Sequence, residues 1–352
     1  MNDKPIAPRV SISPLELKFW RVLQGVFLLV GAVILVALFA APALGLHLLW
    51  NVLIPVAPAL LVLAPGVWRN VCPMATTSLM PRHLGLSRRK HLSVVAQGWL
   101  AVGALVLLLV IVPLRHVILD SSGLAIGLAL VLVAALTVGL GMVFEWKSAW
   151  CSGLCPVYPV ELLYGEEPLL SVKNAHCRTC ENCVMPCKDG TPDLHPANAA
   201  QGKPALISGL ILTGGFPGFI WGWYQVPTYE GWQGFYSLHV AYGFPLAAMA
   251  ASLCAFMGVR AMLKPDYHRT LVRVFAAAAV IVYYWFKAPV MLGFGADPSS
   301  ALIDLHSVLP ASTPVIVRAA CIALFGFLLV LKPHAGRVWA ARPLEVPRGT
   351  QA

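Results

Sequence analysis

The most chemically informative residues of this 352-residue sequence are its cysteines, six of which lie between positions 151 and 187. Four of the six follow one another with two, two and three intervening residues: Cys177, Cys180, Cys183 and Cys187. Thiolates at this spacing on a short irregular loop can each bind a different iron of a 4Fe-4S cluster. Zinc sites more often use two separated C-x2-C pairs, and a disulfide-linked loop is a second alternative. The spacing favours an iron–sulfur cluster over both alternatives.

Two Cys-Pro pairs elsewhere in the chain supply further candidate ligands. Cys72-Pro73 and Cys155-Pro156 each follow a pair of long apolar runs, and Cys151 precedes Cys155 by four residues. In two-cluster bacterial ferredoxins, the cysteine of a Cys-Pro pair provides the fourth ligand of the other cluster. We therefore predict that Cys72, Cys151 and Cys155 also bind iron. Packing of these three cysteines within their loops is the alternative.

The cysteine count leaves one or two clusters open. The run and the Cys-Pro segments together provide seven thiols, which is enough for one cluster but one fewer than two clusters of four cysteine ligands require. A second cluster would need a ligand other than cysteine, for which His176 is the nearest candidate, or it would be incomplete. The run also departs from the ferredoxin pattern, because Pro186 precedes Cys187 and Lys188 follows it.

The composition is that of a polytopic membrane protein. Hydrophobic residues make up 59% of the chain and charged residues only 11%, which excludes a soluble globular protein. The first apolar run is longer than the core of a signal peptide, about 7 to 15 residues, so we predict that it is a retained span. The predicted fold is all-α, with about eight transmembrane helices near 19–41, 46–67, 94–114, 124–144, 205–224, 235–259, 274–295 and 315–331.

The distribution of positive charge predicts the orientation of these spans. The net charge is +10, and in an eight-span arrangement nearly all lysines and arginines lie in segments on one side, with Arg115 and Arg318 as the exceptions. The positive-inside rule then places both termini and the cysteine loop in the cytoplasm of a bacterium, with the spans in its inner membrane. Cytoplasmic thiols stay reduced, which disfavours disulfides. The bilayer and this topology account for the basic charge without a nucleic-acid partner.

These patterns divide the chain into four parts. Residues 1–145 hold spans one to four as two hairpins, with a Cys-Pro loop at 68–91, and residues 146–203 form the cytoplasmic, ferredoxin-like iron–sulfur loop. Residues 204–335 hold spans five to eight, and 336–352 form a cytoplasmic tail. The two hairpins look duplicated, because 67–73 and 150–156 share one arrangement in which Trp68 of the first copy replaces Cys151 of the second.

The segment Ala149–Val157, with its C-x3-Cys-Pro pattern, resembles the signature of the membrane-bound polyferredoxins of the NapH, NosR and CcoG types. The resemblance covers roughly residues 46 to 187. It implies electron transfer at the cytoplasmic membrane, in nitrate or nitrous-oxide respiration or in copper-oxidase assembly. Three features depart from the family: Trp68 replaces a cysteine, only one ferredoxin-type run is present, and spans five to eight are additional to the shorter members.

Several polar residues fall within or near the predicted spans. Lys287 lies past the middle of span seven, where it could bind a quinone oxygen, a haem propionate or a proton, or extend to the membrane surface. A b-type haem bound by His239 and a second histidine is a further hypothesis, against the alternative of histidines that only form local hydrogen bonds. The histidines at or near the predicted outer face are His47, His116, His239 and His306. Glu145 is expected to be an ordinary interfacial charge.

The sequence thus predicts a membrane-bound iron–sulfur protein that transfers electrons between a membrane quinone or haem partner and a cytoplasmic or respiratory redox protein. It is expected to be a component of a redox complex more than a stand-alone enzyme. The alternative is a sensing or non-redox role in the maturation or regulation of respiratory enzymes, with a structural cluster. Reversible electron uptake distinguishes the first hypothesis from the second.

Overall fold

The structure is a computed structural model that describes residues 12–90, 92–145, 147–178, 202–295, 300–333, 335 and 340–341. Three cysteines of the predicted cluster run, Cys180, Cys183 and Cys187, lie outside the described residues. Cys177 is described by its backbone only, within a 3-10 turn at Ala175–Arg178. The first half of the chain, which holds the other candidate ligands, is described almost completely.

The described part of the chain is almost entirely helical. A two-residue parallel pair, β1 (Val172–Lys173) with β2 (Ala340–Ala341), is the one strand pairing there. π-helical turns at Leu48–Leu53, Arg115–Leu119, Lys147–Leu154 and Phe327–Leu331 extend or precede helices. The α-helices are α1 (Pro14–Ala40), α2 (Pro42–His47), α3 (Ile54–Leu63), α4 (Pro65–Val71), α5 (Pro73–His83), α6 (Val94–Leu114), α7 (Gly123–Val143), α8 (Val157–Tyr164), α9 (Lys203–Tyr224), α10 (Gln233–Tyr236), α11 (Leu238–Met262), α12 (His268–Met291) and α13 (Thr313–Gly326).

Eight of the described segments are long and apolar enough to cross a bilayer, which confirms the predicted all-α polytopic membrane fold. Their boundaries differ from the prediction by a few residues, except that span seven begins at Pro265 and not near residue 274. The spans are Pro14–Ala40, Pro42–Leu63, Val95–Leu119, Gly123–Val143, Lys203–Tyr224, Leu238–Met262, Pro265–Met291 and Thr313–Leu331.

Serine side chains fix the start of three spans. Ser13 accepts a hydrogen bond from the Glu16 backbone at the start of α1, and the Glu16 carboxylate accepts one from the Ser13 backbone in return. The Ser93 and Ser122 side chains accept hydrogen bonds from the backbone of Ala96 and Ala125 at the starts of α6 and α7. Each cap pairs a backbone N–H group that has no partner within the helix, so these boundaries follow from local sequence.

The predicted Cys-Pro loop at 68–91 is largely helical. After span two, α4 leads to Cys72, and α5 then packs along α7 and against α1. A Cβ added at Gly31 of α1 would lie 3.4 Å from Pro73, and one added at Gly141 of α7 would collide with the Ser78 carbonyl oxygen. Gly31 is about 25 Å along α1 from Pro14, at 1.5 Å per residue. The first Cys-Pro pair therefore lies between the spans and not at their polar ends.

The second Cys-Pro pair occupies a similar place. The π-helical segment Lys147–Leu154 packs against α6, where Leu154 approaches Gly103 in the middle of that helix. The short helix α8 follows and is buried along most of its length, with Leu163 and Tyr164 in the main core beside Phe216 of α9. We call α5 and α8 the half-helices, because each starts at a Cys-Pro pair between the spans.

Helix α9 is the central span of the second half. Its glycines at i, i+4 and i+8 face α11, because a Cβ at Gly218 would collide with the Ala248 carbonyl oxygen and one at Gly214 would lie 2.7 Å from Phe256. Small residues allow such close helix contact in membranes. These glycines therefore let α11 pack closely against the backbone of α9.

Candidate metal centre

The fold brings together the three cysteines of the Cys-Pro segments. Cys151 is buried, and Cys72 and Cys155 are half-buried against the same small cluster, which also contains Ala75, Leu79 and Trp150. Val133 and Leu140 of α7 pack against this cluster. Cys72 and Cys155 are 83 residues apart in the sequence, so only the packing of the two hairpins places them at one site.

Each half-helix directs its first N–H groups toward a thiol. The Cys72 sulfur accepts hydrogen bonds from the backbone of Met74 and Ala75 at the start of α5, and the Cys155 sulfur accepts one from Val157 at the start of α8. Proline at the first helical position suits this start, because that position has no helical partner for an N–H group. The positive end of a helix dipole stabilises a thiolate or another anion.

Burial opposes ionisation of all three thiols. Desolvation raises the pKa of Cys72, raises that of Cys155 to about 12, and raises that of Cys151 well above its ordinary value of 9.0. The helix N–H groups lower the pKa of Cys72 and Cys155, but by less than burial raises it. The free thiols are therefore protonated near neutral pH, and a metal would have to displace these protons on binding.

The described side chains show no site for a single metal ion. Among the residues that the structure describes, no three His, Cys, Asp or Glu side chains are close enough to bind one metal ion together. In an iron–sulfur cluster each thiolate binds a different iron, so the ligands are spread more widely than around one ion. Cys72, Cys151 and Cys155 offer thiols of the kind that such a cluster binds, with backbone N–H groups at two of the sulfurs. The thiols of the cysteine run are outside the described side chains.

Asn70 ties the start of the cysteine run to the first Cys-Pro segment. Its Oδ1 accepts a hydrogen bond from the Ala175 backbone at 2.9 Å, and its Nδ2 donates to the Lys173 carbonyl at 3.0 Å. Asn70 is fully buried and precedes Cys72 by two residues. The turn that carries Cys177 is thus held against α4. The sequence offered no signal for this role of Asn70, because it depends on a contact across more than 100 residues.

His176, the predicted ligand other than cysteine, is fully buried in the same region. Its Nε2 lies 3.2 Å from the Asn70 carbonyl oxygen and 3.3 Å from the side-chain nitrogen of Gln24 in α1. Within the described part of the chain, it does not form a group with two other His, Cys, Asp or Glu side chains that could bind one metal ion. A role as an iron ligand stays a prediction.

Two buried ion pairs join the segments that follow span two to those that follow span four. Arg69 of α4 lies 2.6 Å from Glu161 of α8, and Arg82 of α5 lies 2.6 Å from Glu145, which follows α7. All four side chains are at most 7% exposed. The expectation that Glu145 is an ordinary interfacial charge was wrong, because α5 folds back over the end of α7 and covers it. Sequence reasoning also missed Arg69 and Glu161.

The opposite end of the bundle contains a cavity of about 1060 Å³. Its walls include three of the five residues that were predicted to bind haem or quinone, namely His47, His116 and Lys287. The other two, His239 and His306, are exposed and are absent from the described lining. Aromatic and polar side chains complete the wall, among them Trp50, Asn51, Arg115, Trp223, Tyr224 and Tyr283.

The polar groups of the cavity are held in place by one another. The Lys287 ammonium donates a hydrogen bond to Asn51 Oδ1 at 2.9 Å. His116 stacks on Trp223 with ring centroids 4.5 Å apart, and its two ring nitrogens lie 3.0 Å from Thr228 Oγ1 and 3.1 Å from the Trp223 carbonyl oxygen. Binding of a haem iron by His116 would break one of these contacts.

Arg115 supplies a fixed positive charge at the rim. Its guanidinium carbon lies 3.9 Å from the Trp50 ring centroid and 4.9 Å from that of Trp223, and its Nε donates to Asp120 at 2.9 Å. The cavity therefore combines flat apolar walls with a small number of oriented donors, as binding sites for small organic molecules do.

Part of this chain is similar to a ferredoxin-type protein. It is 30% identical over 151 residues to the methylamine utilization ferredoxin-type protein MauN of Paracoccus denitrificans (strain Pd 1222). The match covers 40% of this chain, and the chain spans about half of that relative, 53% of its length. No family model and no solved structure matches the chain.

Proposed function

We propose that this protein is an iron–sulfur electron-transfer component of a bacterial inner membrane, with its cysteine loop on the cytoplasmic side. The observation that carries the proposal is the convergence of Cys72, Cys151 and Cys155 beside the turn where the ferredoxin-type run begins. The similarity to a ferredoxin-type protein supports it. Among the residues outside the described side chains, Cys177, Cys180, Cys183 and Cys187 would complete the ligand set.

A bound 4Fe-4S cluster would supply one-electron chemistry. The protein's part is to bury the thiolates, to direct N–H groups from α5 and α8 at two of the sulfurs, and to exclude water with Trp150 and Leu79. Burial and hydrogen bonds to sulfur set the potential at which such a centre accepts an electron.

For the partner at the opposite end of the bundle, we favour a membrane quinone over a haem. Lys287 and Arg115 both line the cavity and could donate hydrogen bonds to a carbonyl oxygen of a quinone. The aromatic walls match the flat quinone ring. The half-helices shorten the path between the two sites. Gly103, which contacts Leu154, and Arg115 are about 18 Å apart along one helix, compared with about 30 Å for the whole hydrocarbon core.

The kind of pathway that this protein serves is proposed from its similarities to other proteins. The NapH, NosR and CcoG resemblance implies electron transfer in nitrate or nitrous-oxide respiration or in copper-oxidase assembly. MauN is, by its name, a ferredoxin-type protein of methylamine utilization. Under this proposal a cytoplasmic or respiratory redox protein exchanges electrons with the cysteine loop, and the quinone pool exchanges them at the cavity.

Addition of a short-chain quinol to anaerobic membranes tests the proposal, with cluster reduction followed by EPR. The parent protein is expected to become reduced, and Lys287→Met to be reduced at least tenfold more slowly at limiting quinol. Arg318→Gln is the matched control, because Arg318 is a cation at the same end of the bundle but stacks on Trp285 outside the cavity lining. Equal rates for all three proteins would contradict a quinone site in the cavity. A cluster that decomposes instead of cycling would favour the sensing role.

A further inference from the structure

The buried pair of Arg69 and Glu161 lies at the junction of the two Cys-Pro segments. Arg69 precedes Cys72 by three residues, so it lies about one helical turn away at the end of α4. Glu161 lies on α8, the half-helix that starts at the second Cys-Pro pair. The two side chains are 5% and 3% exposed and 2.6 Å apart. The pair therefore connects the two ligand-bearing segments through a charged contact away from water.

Tyr158 links this pair to the second thiol. Its ring packs against Cys155, and the Arg69 guanidinium lies over the same ring at 4.6 Å from the centroid. Arg69 is about one helical turn from Cys72 and lies over the aromatic ring against which Cys155 packs. The pair is thus close enough to change the energy of any negative charge at these sulfurs.

We infer that Arg69 and Glu161 set the reduction potential of the centre bound by Cys72, Cys151 and Cys155, with opposite effects. Reduction adds a negative charge to such a centre. A buried guanidinium, which is always protonated, stabilises that charge, and a nearby carboxylate destabilises it. Arg69 therefore favours the reduced state and Glu161 the oxidised state. This inference rests on the proposed iron–sulfur function.

The chain contains a matched control pair. Arg82 and Glu145 form an equally buried contact, and they also join the first hairpin to the second. Arg82, however, lies ten residues after Cys72, about 15 Å along α5. Loss of this pair should damage packing as much as loss of the Arg69 pair, but it should move the potential much less.

The test is a redox titration of membranes that contain the complete protein, with EPR detection of the signal that Cys155→Ser removes. Arg69→Gln is expected to shift the midpoint potential to more negative values and Glu161→Gln to more positive values. Arg69→Lys, which keeps the charge, and Arg82→Gln are expected to stay near the parent value. Opposite shifts cannot come from general loosening of the site, which would move both variants in one direction.

Shifts of one sign in both glutamine variants, or no shift in either, would overturn the inference. If one of the two single variants binds no cluster, the double variant Arg69→Gln/Glu161→Gln is titrated in its place. This variant removes one positive and one negative charge, so the net charge of the site does not change. The midpoint potential of the double variant should lie close to the parent value, or between the parent value and that of the single variant that binds a cluster. Absence of iron from the parent protein would instead contradict the proposed function itself.

Discussion

Single side chains at the candidate site show how this fold balances charge away from water. Cys155 is a thiol whose pKa burial raises to about 12, although a helix N–H group points at its sulfur. Such a group is stable as a neutral thiol or as a metal ligand, and unstable as a free thiolate. Burial also raises the pKa of Cys72 and Cys151. We therefore expect the three cysteines to bind metal as a set, so that loss of one weakens binding by the others.

We predict that Cys155→Ser and Cys72→Ser each lower the iron content of the purified protein. A serine oxygen binds iron more weakly than a thiolate, and each change removes a ligand without altering the packing volume much. Iron per chain, measured on anaerobically purified protein, checks this. Cys254→Ser is the control, because Cys254 is exposed on the surface of α11. An unchanged iron content in both test variants would remove these residues from the site.

We predict that Glu145→Gln destabilises the protein by about 3 to 5 kcal/mol, because it leaves the buried Arg82 guanidinium without its carboxylate. Thermal denaturation in detergent measures the effect as a lower midpoint temperature. Glu16→Gln is the comparison, since its contact with Lys173 is only partly buried and is screened by solvent. Equal midpoints for the two variants would show that the Arg82 contact contributes little.

The sequence predicted the chemistry of these residues better than their surroundings. Spacing and proline neighbours identified Cys72, Cys151 and Cys155 as a set. Nothing local identified Asn70, Arg69 or Glu161, because their roles depend on contacts between segments that are about 90 to 105 residues apart. In a bilayer-spanning chain, a charged residue near a span end usually lies at the interface, and this prior misled the interpretation of Glu145.

At the scale of elements, the half-helices α5 and α8 explain why the cysteines meet. Each is too short to cross a membrane and starts at a Cys-Pro pair, so each turns back among the spans. The backbone groups of such segments need protein partners at this depth, and α7, α6 and α9 enclose them. The sequence predicted polar loops here, because segments of 8 to 11 residues with mixed polarity give no span signal.

We predict that Gly141→Ala lowers both stability and iron content, while Gly139→Ala changes neither. A Cβ at Gly141 would collide with the Ser78 carbonyl of α5, and such overpacking costs about 1 to 3 kcal/mol. The displaced half-helix would carry Cys72 away from its neighbours. Gly139 lies on the same helix, and a Cβ there meets nothing within 4 Å. Thermal midpoints and iron per chain measured on both variants provide the check, and equal losses in the two would argue against a fixed position for α5.

At the scale of the whole molecule, the even number of spans fixes which segments share a side. With eight spans among the described residues, residues 12 and 333 lie at the same end of the bundle, and the cysteine loop lies at that end too. The cavity lies at the other end. The apolar runs sufficed to predict the eight spans, because the bilayer imposes length and hydrophobicity on every span. The cavity could not be predicted, since its walls come from five separate segments.

We predict that tags fused before residue 1 and after residue 352 are accessible from the same side of the membrane, and from the cytoplasmic side in cells. A membrane-impermeant label applied to intact spheroplasts should miss both tags and should reach both after lysis. A cysteine introduced at Glu230, in the link between spans five and six, should react before lysis. Labelling of only one tag in intact cells would require an odd number of spans.

The most direct test of the account is the iron and acid-labile sulfide content of the anaerobically purified protein, with EPR spectra before and after dithionite. The account predicts about four irons per chain for one cluster, or about seven to eight for two, with matching sulfide and an S = 1/2 signal on reduction. Zinc in place of iron, or no metal at all, would contradict an electron-transfer role.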